Sequence, residues 1–156
     1  MMEQLAEAET ENDLYFVFTS QEEVGLRGAG AAAFSVEPDV AIAVDVTDTG
    51  DLPERKTPMA VDMGKGPAVK VMDRSVICTP AVCAALEQAG ADCGVATQRE
   101  ILQFGGTDTA ALQKARAGVQ AGAISIPTRY IHSPSEMCAV SDVEGAAKLL
   151  ARFAAM

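Results

Sequence analysis

The chain has 156 residues, 49 % of them apolar but only 4 % aromatic and none Trp, which suits one globular domain with a core filled by alanine and valine. Its 22 Asp and Glu against 12 Lys and Arg give a net charge of −10, which argues against a phosphate-neutralising nucleic-acid surface and against docking on an anionic membrane. No apolar run approaches the ~20 residues of a transmembrane helix, residues 1–12 lack the layout of a signal peptide, and Cys78, Cys83, Cys93 and Cys138 show no Cys-x-x-Cys spacing, so free thiols and a cytoplasmic location are expected.

Residues 1–11 read as the tail of a helix, with Leu5, Ala6 and Ala8 among acidic neighbours. Residues 14–19 (Leu-Tyr-Phe-Val-Phe-Thr) form a continuous β-prone apolar run, the mark of a strand covered on both faces, and residues 40–46 read the same way. The small residues at 28–35 between them predict a helix pressed tightly on a sheet, which makes a βαβ unit with parallel strands. Residues 48–66 are an irregular excursion, and 68–72 a short strand. Thr79 as N-cap, Pro80 at the first position and Gly90 as stop predict a helix over 81–89. A short strand at 95–98, a helix at 107–117 ending at Gly118 and a strand at 121–126 ending at Pro127 follow. Ser141 and Glu144 form a capping box for a last helix whose apolar face holds Leu149, Leu150 and Phe153. The fold class is α/β, a mostly parallel sheet flanked by helices.

In open parallel sheets ligands bind beyond the carboxyl ends of the strands. Glu22 and Glu23 follow the first strand-like run, Asp45 ends the second amid apolar neighbours, and Arg129, Tyr130 and His132, the one histidine, follow the run at 121–126. Each has a plain alternative: a solvated acidic pair, an aspartate capping a turn, a surface histidine. Convergence on one sheet edge favours function. Mixed carboxylate and imidazole donors suit Zn²⁺, Co²⁺ or Mn²⁺ rather than Ca²⁺ or a thiolate site. Adjacent side chains diverge in extended backbone, so one glutamate can bind a metal while the other faces an acidified water, a hydrolase arrangement. Gly64-Lys65-Gly66 lacks the spacing of a phosphate loop, and Asp108 after Gly105-Gly106-Thr107 suits the first turn of a helix.

The segments Phe18-Thr19-Ser20-Gln21-Glu22-Glu23-Val24-Gly25-Leu26-Arg27-Gly28-Ala29 and Ala41-Ile42-Ala43-Val44-Asp45-Val46-Thr47 resemble the M42 family of metallo-aminopeptidases. Gly64-Lys65-Gly66-Pro67, Gly105-Gly106-Thr107-Asp108 and Ile126-Pro127-Thr128-Arg129-Tyr130-Ile131-His132-Ser133-Pro134-Ser135-Glu136-Met137 extend the likeness in the same order. The family includes glutamyl and tetrahedral aminopeptidases, and some members carry the labels cellulase M or endoglucanase. The resemblance implies a zinc-peptidase-like fold and hydrolysis of N-terminal peptide bonds with a pair of divalent ions, zinc or cobalt. It assigns Glu22 as general base, Asp45 to the first metal, Glu23 and His132 to the second, and Asp108, Arg129 and Tyr130 to substrate-side or supporting positions. Peptide substrates and, for the full-length protein, a homo-oligomer are implied as well.

A full family member also has an upstream His-x-Asp segment, a bridging aspartate and an inserted dimerisation domain, none of which appears in this sequence. Residues 1–156 are therefore expected to be one domain, the C-terminal part of the catalytic domain, with low or absent activity alone. A non-catalytic binding or assembly module on the same scaffold is the alternative, discriminated by a lack of thermal stabilisation by Zn²⁺ or Co²⁺. A glycoside hydrolase ranks last, because a chain with no Trp and two Tyr offers little sugar-stacking surface.

Overall fold

The computed structural model describes residues 1–6, 10–53 and 56–156. In chain order the elements are α1 (Met2–Leu5), α2 (Arg27–Val36), β1 (Val40–Thr47), β2 (Ala68–Met72), α3 (Pro80–Asp92), β3 (Gln98–Ile101), α4 (Thr109–Gln113), β4 (Gln120–Arg129), β5 (Met137–Cys138) and α5 (Val140–Ala154). The main sheet runs β1-β4-β2-β3, with β5 paired to the far end of β4. β1 lies parallel to β4 over its whole length, Val40 opposite Gln120 and Thr47 opposite Pro127. β2 and β3 are parallel to each other, while β2 meets β4 antiparallel at only Ala68–Ser125 and Val69–Ile124. The long ladders are thus parallel, as expected, but the sheet as a whole is mixed.

Side chains alternate across a strand, so register sorts the sheet into two faces. One carries Ile42, Val69, Ile124 and Ile126 and packs under α3 and α5 through Val82, Leu86, Ala89, Ala146, Leu149 and Leu150. Close approach of helix to sheet relies on small residues: a Cβ on Gly122 would sit 2.6 Å from Val82 Cγ1. The opposite face carries Ala43, Asp45 and Thr47 from β1, Ser125 from β4, Lys70 from β2 and Glu100 from β3, by their paired positions. Ala29, Ala33, Ala41, Ala43, Ala121 and Ala123 are all buried, which bears out an alanine-filled core.

Several sequence expectations need correction. Residues 14–19 pair with no strand among the described residues and are exposed, so the predicted βαβ unit does not form; the parallel partner of β1 is β4. An apolar run becomes a strand only where a neighbour completes its ladder. Helix α3 runs past Gly90 to Asp92. Gly90 instead lets Thr97 approach, since a Cβ there would lie 2.8 Å from its Cγ2. The strand expected at 95–98 is displaced to β3, and α4 is shorter than the predicted 107–117 helix. β4 continues through Pro127, which lies past the last residue paired to β2, where a missing N–H is tolerated. Ser141 forms no cap: α5 starts after Ala139, and the buried carboxylate of Asp142 instead accepts hydrogen bonds from Gly64 N at 2.7 Å and Gly66 N at 2.9 Å. Of the helix tail at 1–11, α1 is observed and residues 7–9 lie outside the described residues. The four cysteines are free thiols, and burial pushes Cys78 up to about 12.

Candidate active site

Glu22 and Glu23 are presented by a tight turn that opens α2. Gly25 N and Leu26 N donate to Glu22 O at 3.1 and 2.9 Å, and Gly28 N donates to Ser20 O at 2.9 Å. Only glycine fits at 28, because a Cβ would lie 2.5 Å from Ser20 N and 2.7 Å from Ser20 O. Asp45 sits near the end of β1 and takes Val46 N–H on Oδ1 at 2.7 Å. His132 lies in the loop after β4, where its backbone N–H donates to Glu136 Oε1 at 2.8 Å. Since β1 and β4 run parallel, Asp45 and His132 fall at the same end of the sheet.

The residues drawn together are Glu22, Glu23 and His132, which line one cleft of about 510 Å³ with Leu26, Arg74 and Gly106. Nδ1 of His132 is 3.9 Å from Glu23 Oε1. Backbone strain concentrates here: Gln21, Leu26, Tyr130 and His132 have φ between 56° and 61°, a left-handed conformation uncommon for side-chain-bearing residues and often found at functional sites. Burial, then the charges of Asp45, Glu23 and Asp108, raise the Glu22 carboxyl above its ordinary value, against a downward pull from His132. Asp45 is also raised, by burial first; the Val46 amide and Lys70 oppose this, while Asp108 and Glu23 add to it. Asp108 accepts from Thr19 Oγ1 at 2.6 Å on Oδ2, and its buried Oδ1 has no hydrogen-bond partner among the described residues.

Four crowded carboxylates and an imidazole, with one buried carboxylate oxygen left over, form an oxygen-and-nitrogen donor set that suits a divalent cation in its chemistry. The side chains do not close around one: among the described residues no three His, Cys, Asp or Glu side chains are gathered tightly enough to hold a metal ion. Asp45, Asp108, Arg129 and Tyr130 do not line the cleft. Arg129 is engaged by Asp51, Nη2 to Oδ2 at 2.6 Å, and Tyr130 is half-exposed on the strained loop.

Arg74 and Ser75 also line the cleft, and a buried polar group lies behind it; none of these belongs to a motif in the sequence. Lys70 and Glu100 are fully buried and in direct contact, and Asp73 is almost so. A lysine inside the apolar run Ala-Val-Lys-Val-Met was the available signal.

Residues 1–149 match the family model described as M42 glutamyl aminopeptidase. A protein of Acetivibrio thermocellus, provisionally named an aminopeptidase, is 56 % identical over 141 residues, 90 % of this chain and 42 % of that protein. The solved structure of aminopeptidase APDkam598 from the archaeon Desulfurococcus kamchatkensis superposes with a TM-score of 0.92 at 37 % identity, covering 99 % of this chain and 44 % of that one. That of the TET1 peptidase of Pyrococcus horikoshii, which can assemble into a tetrahedron or a large octahedral shell, superposes with a TM-score of 0.75 at 32 % identity, covering 88 % and 39 %. The chain thus spans less than half the length of each of these proteins, and no described helix is long and apolar enough to cross a membrane. A match across almost the whole chain, on a scaffold that superposes on solved aminopeptidases, establishes that the chain belongs to the M42 glutamyl aminopeptidase family.

Proposed function

We propose that this chain carries the general base and part of the metal-ligand set of a metal-dependent aminopeptidase acting on peptides in the cytoplasm. The observation that carries the reading is Glu22: a carboxyl raised by burial and by three neighbouring carboxylates, beside Glu23 and His132 in one cleft. A base whose pKa is moved toward neutrality is better matched to proton transfer at working pH. Glu22 takes the proton of the attacking water and delivers it to the leaving amine. Glu23, Asp45 and His132 would hold divalent cations, zinc or cobalt as a co-catalytic pair in the complete site, with Asp108 behind them. When bound, such ions supply Lewis acidity and the positive charge that the carboxylates lack. The remaining negative field favours the protonated amine of a peptide N-terminus.

We read the chain as one domain, part of a larger catalytic unit, and the full-length protein as a homo-oligomer. The exposed apolar segment at 14–18 supports association. Calorimetric titration of the chain with Zn²⁺ and Co²⁺ tests the site. Binding should weaken in Glu23→Gln and His132→Ala and persist in Glu22→Gln, since Glu22 is assigned no ligand role. Loss of binding in Glu22→Gln with retention in Glu23→Gln would reverse the two assignments, and a chain that binds neither ion would refute them.

A further inference from the structure

Behind the cleft lies a group of charges that proton transfer and metal binding do not use. Lys70 and Glu100 are 0 % exposed and Asp73 2 %. Lys70 Nζ is bonded to Glu100 Oε1 and lies 3.8 Å from Asp73 Oδ2. Burying charges is costly unless each is paired and hydrogen-bonded, and a neutral, well-packed replacement is often no less stable. Stability alone is therefore a weak reason to keep this cluster.

Its contacts suggest another reason. Thr47, two residues after Asp45 on β1, donates from Oγ1 to Glu100 Oε1 at 2.8 Å. Asp73 Oδ1 accepts from Ser75 N and Ser75 Oγ at 2.7 Å and from Val76 N at 3.0 Å, which folds the turn carrying Arg74 and Ser75 to the cleft wall. Thr107 Oγ1 lies 3.4 Å from Asp73 Oδ2 and 2.9 Å from Thr109 Oγ1. One hydroxyl proton cannot serve both, so Thr109 can donate to Thr107 while Thr107 donates to Asp73. That chain fixes the segment holding Gly106 and Asp108. Ser75 and Gly106 also touch so closely that a Cβ on Gly106 would lie 2.8 Å from Ser75 Oγ. Three segments that border the site thus meet at one ion cluster.

We propose that Lys70 is a positioning residue for the candidate active site: clamped to Glu100 and facing Asp73, it locks the strand of Asp45 and the turns of Ser75 and Asp108 into one frame. The inference rests on the proposed metal-dependent function for its consequence, though the frame itself is a property of the fold.

The test compares wild type with Lys70→Met and with the double variant Lys70→Met, Glu100→Gln, using amide hydrogen exchange and Co²⁺ titration. Lys70→Met strands two buried carboxylates and lowers Tm, and it can fail to fold. The double variant removes the charge pair together and should recover most of the Tm. If Lys70 positions the site, the double variant still loses protection selectively at residues 45–47, 75–76 and 107–110, with α3 and α5 unchanged. Its Co²⁺ affinity falls roughly 10–100-fold, the usual loss when groups supporting metal ligands are removed. Wild-type protection at all three segments, or a loss spread evenly over the chain, would overturn the proposal. Wild-type chain that binds no Co²⁺ would refute the metal site, and the exchange pattern would then decide the role of Lys70 by itself.

Discussion

Gly28→Ala and Gly30→Ala are the same substitution two residues apart in α2, and the structure gives them opposite signs. In a helix Ala is favoured over Gly by up to ~1 kcal/mol. At Gly30 the added Cβ meets only Ala111 Cβ at 3.9 Å, an ordinary contact, so the variant should gain most of that amount. At Gly28 the Cβ would lie 2.5 Å from Ser20 N and 2.7 Å from Ser20 O, backbone atoms that cannot swing aside. Relieving such overpacking typically costs ~1–3 kcal/mol. Pushing the strands of the turn apart also weakens the 2.9 Å bond from Gly28 N to Ser20 O, a further ~0.5–1.5 kcal/mol. The net expectation for Gly28→Ala is a loss on the order of 1–3 kcal/mol, with displacement of Glu22 and Glu23, which the same turn carries. Urea denaturation of both variants beside wild type measures the difference. If Gly28→Ala stabilises the chain as much as Gly30→Ala does, the close approach of Ser20 to α2 is wrong, and with it the placement of the glutamate turn.

The ion pair with Arg129 holds the Asp51 carboxyl down at about 2, so its stabilising effect is complete above the ordinary carboxylate value of 3.8 and is lost as pH falls from there toward 2. Arg129→Met should lower Tm at pH 6 and lower it much less near pH 2, where the Asp51 carboxyl is becoming protonated, and an equal effect at both values would contradict the pairing. The Glu22 carboxyl is raised, so its charged form destabilises the metal-free fold, and Glu22→Gln should raise the metal-free Tm at pH 7 with the gain fading near pH 4. A fall in Tm at pH 7 would mean that the carboxylate crowding is absent. Phe18 is 87 % exposed in an apolar stretch with Tyr15 and Val17, and Phe18→Ser should raise the monomer fraction in sedimentation velocity without lowering Tm. A chain already monomeric at high concentration would show that this patch drives no association.

Local signals in the sequence were enough to place β1, β2, α2, α3 and α5 within a few residues, because strand and helix periodicities are written in neighbouring side chains. The glutamate pair, Asp45 and His132 stood out for the same local reason: polar residues at the ends of apolar runs. The parallel pairing of β1 and β4 brings Asp45 and His132 to one end of the sheet, and the turn that opens α2 supplies the glutamates. What the tertiary structure alone decided depends on partners distant in the chain. Residues 14–19 have every local mark of a strand, but a ladder needs a neighbour, and no described strand supplies one. Ser141 and Glu144 spell a cap, yet Asp142 beside them is the residue put to use, by Gly64 and Gly66 some 76 to 78 positions away. Lys70 stands out inside its apolar run, but nothing beside it in the sequence names Asp73 and Glu100 as its partners. Their burial against one another is set by the pairing of β2 with β3 and by the turns that follow, and no window of adjacent residues contains that information.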